Sequence, residues 1–254
     1  LTLLSEKARQ LGMSGVDVVM AFEFDQEMAD TSAENFVIEI LGNRLGVRHV
    51  VVGQDFRFGK DRAGDTNMLR LVAEQHGFEA TLVAPCRVDG EICSSSRVRS
   101  CLRRGKPGQA ADLLGHWWTL EGEVLTGDKR GRQLGFPTAN LSLQDYVEPL
   151  FGVYAVRIAL KDETGSVTEL HDGVANIGRR PTFDKDDVTL EVHIFDFSDD
   201  IYGSFVSVSL VEFIRPEKKF DGLDSLKAQI ARDSSQARVS LAKKKCAIDR
   251  YLDS

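Results

Sequence analysis

A change of hydrophobic rhythm near Leu114–Trp117 constrains what this chain can fold into more than any other feature. Before it, short apolar runs alternate with segments of helical period. Val16–Phe22 is predicted to be a buried strand, Ser32–Leu45 a helix and His49–Val52 a short buried strand. Asn67–His76 then reads as a helix, Glu79–Ala84 as a strand, and Ser96–Arg104 and Gly108–Leu114 as helices. Ser32 ahead of Asn35 and the apolar Phe36, Val37 and Ile40 has the pattern of a capped helix start. Such alternation implies a parallel sheet with helices on its faces, whose ligands bind beyond the carboxyl ends of the strands. About three strands are visible, fewer than a parallel sheet usually holds, so the rest is expected upstream of Leu1. The chain also starts without methionine inside a helical pattern, as a fragment does.

After Trp117 the rhythm is that of strands. Leu120–Leu125, Gly135–Leu141, Val153–Leu160, Leu170–Ile177, Thr189–Phe197 and Phe205–Ile214 are alternating or β-branched runs between turns, the pattern of an antiparallel barrel. Two helices are predicted to close the chain, one over about Leu223–Ala231 and one starting near Ser234 or Ser235, with Ala237, Leu241, Ile248 and Leu252 on one face. The expected division is residues 1–115, an α/β parallel-sheet domain, and residues 116–254, a mainly antiparallel β-barrel with C-terminal helices.

A length of 254 residues allows each part its own core, and 42% hydrophobic with 28% charged residues is ordinary for a globular protein. No apolar run is long enough to span a bilayer and no signal-peptide pattern opens the chain, so a cytoplasmic protein without a membrane partner is expected. Cys86, Cys93, Cys101 and Cys246 lack metal-binding spacing and read as reduced thiols. A net charge of −7 argues against nucleic acid as the main partner, though one local cluster of Lys and Arg suffices for a phosphate ligand. Oligomeric state is not legible.

One such cluster is Gly127-Asp128-Lys129-Arg130-Gly131-Arg132, followed closely by Gly135-Phe136-Pro137-Thr138-Ala139-Asn140. Thr138 and Asn140 are two apart, so in an extended segment both side chains point the same way. A hydroxyl beside an amide oxygen suits Mg²⁺, which takes a few protein oxygens and completes its shell with water and phosphate. Pro137 fixes its own φ and keeps Phe136 extended. The loop Gly127–Arg132 is either a solvated basic turn or a phosphate-binding loop, and the neighbouring Thr-x-Asn pair favours the second. It is not a GxxxxGK[ST] loop; Gly53–Lys60 comes near that pattern but has five residues between its glycines and Asp61 in place of Ser or Thr.

GFPTAN after GxxxGR, with GVYAV (Gly152–Val156), GVANIGRRPTF (Gly173–Phe183) and LEVHIFDF (Leu190–Phe197), resembles riboflavin kinase. VVGQDFRFGK (Val51–Lys60) and SSSRVR (Ser94–Arg99) resemble the FMN adenylyltransferase half of the bacterial bifunctional riboflavin kinase/FAD synthetase family. The resemblance covers essentially the whole chain. It implies phosphorylation of riboflavin to FMN by ATP with Mg²⁺ in the C-terminal domain, and adenylylation of FMN to FAD in the N-terminal one. The substrates would then be small molecules: riboflavin, FMN and ATP.

The resemblance also implies roles for particular residues. Glu191 falls on the family's catalytic glutamate, where a carboxylate would remove the proton of the attacking alcohol; taken alone, a strand Glu is more often a solvated residue. Thr138 and Asn140 would be the Mg²⁺ ligands, and Gly127, Lys129, Gly131, Arg132 and Pro137 would belong to the nucleotide site. His193 reads as a supporting residue, and Asp196, Asp199 and Asp200 as turn residues. Arg179 and Arg180 are phosphate or flavin contacts or plain surface charge. Arg215-Pro216-Glu217 resembles the family's segment before the last helices, which help enclose the flavin, and Phe213 and Phe220 either line the flavin or fill the core.

In the first half, Gly53, Asp55, Phe56 and Phe58 open a loop to Asp65 expected to help bind nucleotide and flavin, the phenylalanines by stacking. Ser95, Ser96 and Arg99 stand at a strand-to-helix junction suited to a triphosphate, or form a plain serine cap with a solvated Arg. The family's HxGH signature is missing: His49, His76, His116, His171 and His193 never take that spacing. The adenylyltransferase site is therefore expected to be incomplete, by N-terminal truncation or by loss of activity in that domain. A non-catalytic flavin-binding module is the alternative reading, which would not need the Thr138, Asn140 and Glu191 set.

Overall fold

The computed structural model describes residues 1–126, 135–143, 145–163, 165–181 and 186–244. They fall into two compact units, Val16–Ile92 and Leu1–Gly15 with Cys93–Ser254.

In Val16–Ile92, a short helix α2 (Gln26–Asp30) precedes α3 (Ala33–Asn35), which runs on into a π-helical segment (Phe36–Arg44). (α1, Leu4–Met13, belongs to the other unit.) Ser32 caps α3 as its sequence suggests, its hydroxyl accepting from the Asn35 amide at 3.2 Å. β1 (His49–Gly53) pairs in parallel with β2 (Glu79–Val83), and α4 (Thr66–Gln75) connects them. Val37, Phe58, Leu69, Ala73 and Phe78 form the core, with Val50, Val52 and Ala80 packed on it. The opposite face of the pair is bare within this unit: Val51 and Val83 are exposed. A two-residue hairpin, β3 (Arg87–Val88) and β4 (Glu91–Ile92), escaped the sequence reading because such short strands carry no period.

One expected strand is corrected. Val16–Phe22 has strand composition but no regular structure, and its side chains are largely exposed, ending at Phe24 with 80% of its surface accessible. A strand exists only through the ladder it joins, and among the described residues none bonds to this segment.

In the other unit, α5 (Ser95–Arg103) and α6 (Pro107–Leu114) lead into six antiparallel strands: β5 (Thr119–Glu123), β6 (Ala139–Ser142), β7 (Gly152–Lys161), β8 (Val167–Pro181), β9 (Asp186–Ile194) and β10 (Phe205–Arg215). Their order is β5-β10-β7-β8-β9-β6. The two ends of that row meet where the Leu125 amide donates to the Asn140 carbonyl at 2.8 Å, so the sheet curls into a nearly closed barrel. Alternate residues fill it, among them Trp118, Leu120, Leu141, Tyr154, Ile158, Ile177, Leu190 and Leu210. Two register shifts between β10 and β7, at Leu210/Glu212 and Phe213/Arg215, bend the end of β10.

The two predicted closing helices are one, α7 (Leu223–Lys243), of 21 residues. The serine that suggested a break does not cap a new helix: Ser235 Oγ donates back to the Ala231 carbonyl at 3.0 Å, the arrangement by which serine is tolerated inside a helix. Asp233, 4% exposed, is engaged by the Arg215 guanidinium at 2.7 Å and by Gln229. Ala237 and Leu241 of α7 pack on Val153, Ala155, Val174 and Phe195 outside the barrel. Arg157 donates to the carbonyls of Leu241 and Lys244 and so caps the helix end. Ile248 and Leu252 lie outside the described residues.

Helix α1 packs with the barrel rather than with the parallel pair. Trp118 donates its indole N–H to the Leu1 carbonyl at 2.9 Å, and Arg9 pairs with Glu121 at 3.0 Å. Glu121 is also bonded by Lys161 at 2.6 Å. Glu6 is buried beside this group, 2% exposed, with Oε2 lacking a hydrogen-bond partner among the described residues. Burial and the Glu121 carboxylate push its pKa up to about 7, against the weaker pull of Arg9, Lys161 and the Leu1 amino group. A raised acid pKa means the folded state holds its proton more tightly than the unfolded state. Stability is thus expected to fall as pH rises from about 4.5 to about 7, by ~1–2 kcal/mol after allowance for the neighbouring cations. Urea titrations across that range should show the loss, and Glu6→Gln should flatten it.

Candidate active site

Backbone register brings the predicted residues together. Asn140 of β6 stands opposite Glu191 of β9, and Glu191 stands opposite Asn176 of β8. Directly opposed residues of antiparallel strands have Cβ atoms ~5 Å apart, so Asn140, Glu191 and Asn176 form one row across three strands. The neighbours Leu141, Leu190 and Ile177 point into the barrel, which sends the row to its outer face. Asn140 is 8% exposed, whereas Glu191 and Asn176 are half-buried.

The segment before β6 is tied to the same place. Asn140 Nδ2 donates to the Thr138 carbonyl at 3.3 Å. His193 Nδ1 lies 3.0 Å from the Pro137 carbonyl; a carbonyl only accepts, so Nδ1 carries the proton. The His193 ring also meets Phe136 edge-on, with centroids 5.3 Å apart, and touches Phe195. His193 thereby fixes the backbone on which Thr138 sits, half-buried one residue ahead of β6.

The donor set of Thr138, Asn140 and Glu191 is a hydroxyl, an amide and a carboxylate. All are hard oxygens of the kind Mg²⁺ prefers. Among the described residues no group of three or more His, Cys, Asp or Glu could hold a metal by itself. An ion at Thr138 and Asn140 therefore fits only as one that takes most of its shell from phosphate and water. The basic loop with Gly127, Lys129, Gly131 and Arg132 lies outside the described residues.

Two neighbours come from elsewhere in the chain. Glu217, just beyond β10, accepts from Asn176 Nδ2 at 3.5 Å and lies against Gly178. Its segment was singled out in the sequence, but 41 residues separate it from Asn176, so their meeting shows only in space. Arg179 pairs with Glu148 at 3.3 Å and lies over the Phe151 ring. Phe213 packs edge-on against Tyr154 at 5.1 Å, Phe220 lies under the Arg215 guanidinium, and Asp196 occupies a turn at φ 55°. The Arg238 fork grips that aspartate and holds its carboxyl below the usual range.

In the unit Val16–Ile92, Gly53 ends β1, and its carbonyl accepts from the Phe56 amide in a tight turn. The Asp55 carboxylate lies over the Gly53 backbone. Phe58 is a core residue, buried and stacked on Phe56 at 5.4 Å, while Phe56 stays half-buried at the margin of that core. The loop to Asp65 is pinned by exchange of hydrogen bonds between Phe58 and Gly64. In the other unit, Ser94 caps α5 by accepting from the Arg97 amide; Ser95 and Ser96 lie exposed on its first turn and Arg99 is half-buried.

The riboflavin kinase family model matches residues 114–241, which includes all six barrel strands, and the FAD synthetase family model matches residues 1–97. The bifunctional riboflavin kinase/FMN adenylyltransferase of Escherichia coli K12 is 42% identical over 94% of this chain and 74% of its own length. This chain belongs to that bifunctional family. The Haemophilus influenzae relative of the same name is 39% identical over 92% of the chain and 75% of its own length. A crystal structure of a Streptococcus pneumoniae protein, described as a macrolide-efflux protein, superposes with a TM-score of 0.80 at 31% identity, covering 93% of this chain and 74% of that one. Among the described residues of this family member, no helix is long and apolar enough to cross a membrane.

Replacing His193 by Ala removes the bond to Pro137 and the ring contact with Phe136. Global stability should fall by about 1–2 kcal/mol. Hydrogen exchange of the Ala139 and Asn140 amides should quicken more than that of β7, as mass spectrometry of peptides can resolve.

Proposed function

We propose that residues 116–254 transfer the γ-phosphoryl group of ATP to the 5′-hydroxyl of riboflavin, and that residues 1–115 carry the fold for adenylylation of FMN to FAD. The observation that supports the first half best is the Asn140–Glu191–Asn176 row on a barrel matched by the riboflavin kinase family. The bond formed joins the 5′-oxygen to the γ-phosphorus, and the bond broken frees ADP. Glu191 accepts the proton of the attacking hydroxyl. Thr138 and Asn140 hold the Mg²⁺ through hydroxyl and amide oxygens, and the ion when bound neutralises charge on the phosphates. Gly127, Lys129, Gly131 and Arg132, with Pro137, complete the nucleotide site. His193 orients the Pro137–Thr138 backbone through its Nδ1–H bond to the Pro137 carbonyl. Little covalent work is asked of the protein, so positioning carries most of the effect.

For adenylylation, Gly53, Asp55 and Phe56 lie where β1 ends, the usual ligand side of a parallel sheet, and Phe58 supports that loop from the core. Ser95, Ser96 and Arg99 offer hydroxyls, free amide groups and a cation at the start of α5. No HxGH pair stands among the five histidines. Among the described residues Cys86, Cys93 and Cys101 form no disulfide.

Incubation of this chain with riboflavin, ATP and Mg²⁺, followed by chromatography of the flavins, should yield FMN without FAD. Glu191→Gln should lower kcat by about a hundredfold or more while ATP still binds. Retained turnover would remove Glu191 from the role of base. Flavin bound without any FMN would favour a binding module instead.

A further inference from the structure

A line of side chains in contact runs over the outer face of the barrel from α7 to the segment that carries Thr138 and Asn140. It begins at Arg238, whose guanidinium forms a fork on the Asp196 carboxylate with bonds of 2.8 and 2.9 Å. The same guanidinium lies over the Phe195 ring, with Cζ 4.2 Å from its centroid. Phe195 is 6% exposed and packs with Ala237 and Leu241 of α7. The His193 ring meets Phe195 edge-on at a centroid distance of 6.0 Å and meets Phe136 edge-on at 5.3 Å. Its Nδ1–H then donates to the Pro137 carbonyl at 3.0 Å, next to Thr138.

As an ion pair alone, Arg238 with Asp196 contributes little, because their side chains are 49% and 79% exposed and water screens such pairs. Its effect is on geometry. Asp196 stands in a left-handed turn at φ 55°, directly after the Phe195 amide donates to the Asp172 carbonyl at 2.9 Å. The fork closes that turn at the end of β9, and the same planar cation covers the face of Phe195. Phe195 is thereby seated against α7, and His193 is confined between two rings. An imidazole free to rotate would give up the Pro137 bond, and with it the restraint on the backbone ahead of Thr138.

We propose that Arg238 is a positioning residue for the nucleotide end of the kinase site: through Phe195 and His193 it holds the Pro137–Thr138 backbone where Thr138 and Asn140 can receive magnesium-bound phosphate. This rests on the riboflavin kinase reading above. Arg238 acts through the side chains between, not by contact with substrate. Helix α7 thus sets the geometry of a segment that precedes β6, although the two are far apart in the chain.

The test compares Arg238→Ala, Arg238→Lys, His193→Ala and the double variant of Arg238→Ala with His193→Ala in the whole chain. One readout is hydrogen exchange of the Ala139 and Asn140 amides without ligand, with β7 as the reference. The other is the KM for ATP set against the KM for riboflavin. Arg238→Ala should quicken exchange at Ala139 and Asn140 about three- to tenfold relative to β7, and raise the ATP KM by about the same factor. The riboflavin KM should not change. Arg238→Lys keeps a cation near the ring but loses the planar fork, and should fall between. In the His193→Ala background the Arg238 substitution should add nothing, because the route is already cut. Unchanged exchange in Arg238→Ala, additive effects in the double variant, or equal rises in both KM values overturn the proposal alone. An unmodified chain that makes no FMN overturns the kinase reading with it, and the exchange measurements then still decide whether Arg238 acts on the Thr138 segment through His193.

Discussion

The Asn140 carbonyl accepts the Leu125 amide, and through that bond the two ends of a six-stranded sheet meet. The side chain of the same residue heads the Asn140–Glu191–Asn176 row. Closure and site are therefore one constraint. A sheet left open at this point would expose an edge of unpaired amides and would lose the register that sets Asn140 opposite Glu191. A slip of one residue would turn Asn140 and Glu191 into the barrel and Leu141 and Leu190 outward. Burial of Leu141 and Leu190, together with Ile177, is what forbids that slip.

The outer face depends on a second set of restraints, which are charged. Arg215 with Asp233, Arg238 with Asp196, and Arg157 on the last carbonyls of α7 attach one long helix to the barrel. The Arg215–Asp233 pair is the more buried of the two ion pairs, and removing one partner of such a pair usually costs several kcal/mol because the other is stranded. Arg238 also lies 4.2 Å above the Phe195 ring, so its fork is fixed by a face as well as by a carboxylate. These contacts leave Ala237 and Leu241 seated on the apolar patch and bring the chain after β10 back across β8.

The family matches and the packing divide the chain differently. Residues 1–97 match FAD synthetase, yet Leu1–Gly15 and the start of α5 pack in the compact unit that contains the barrel. Arg9, Glu121 and Lys161, with Glu6 beside them, form a largely buried charge group across that packing, joined by the Trp118 bond to Leu1. Sequence matched to one activity thus contributes to the packing of the domain matched to the other.

Local pattern sufficed for much of this. The spacing of Thr138 and Asn140, the alternation that puts Glu191 and His193 on one face, and the strand rhythm after Trp117 each involve only residues within a few positions of one another. Periods of that kind survive folding because they follow from backbone geometry alone. The sequence also carried enough of the family's motifs for both halves to be recognised. What tertiary structure decided involves partners far apart in the chain. Val16–Phe22 has the composition of a strand but no ladder to join. Ser235 bonds back within α7, and Asp233 is claimed by Arg215, so one helix continues where two were expected. Phe58 is drawn into the core by Phe36 and Phe56. Glu217 reaches Asn176 only because β10 bends and Arg215 is clamped. Periodicity reports which face a residue takes; which neighbour it meets there is set by the closure of the barrel and the burial of its charges.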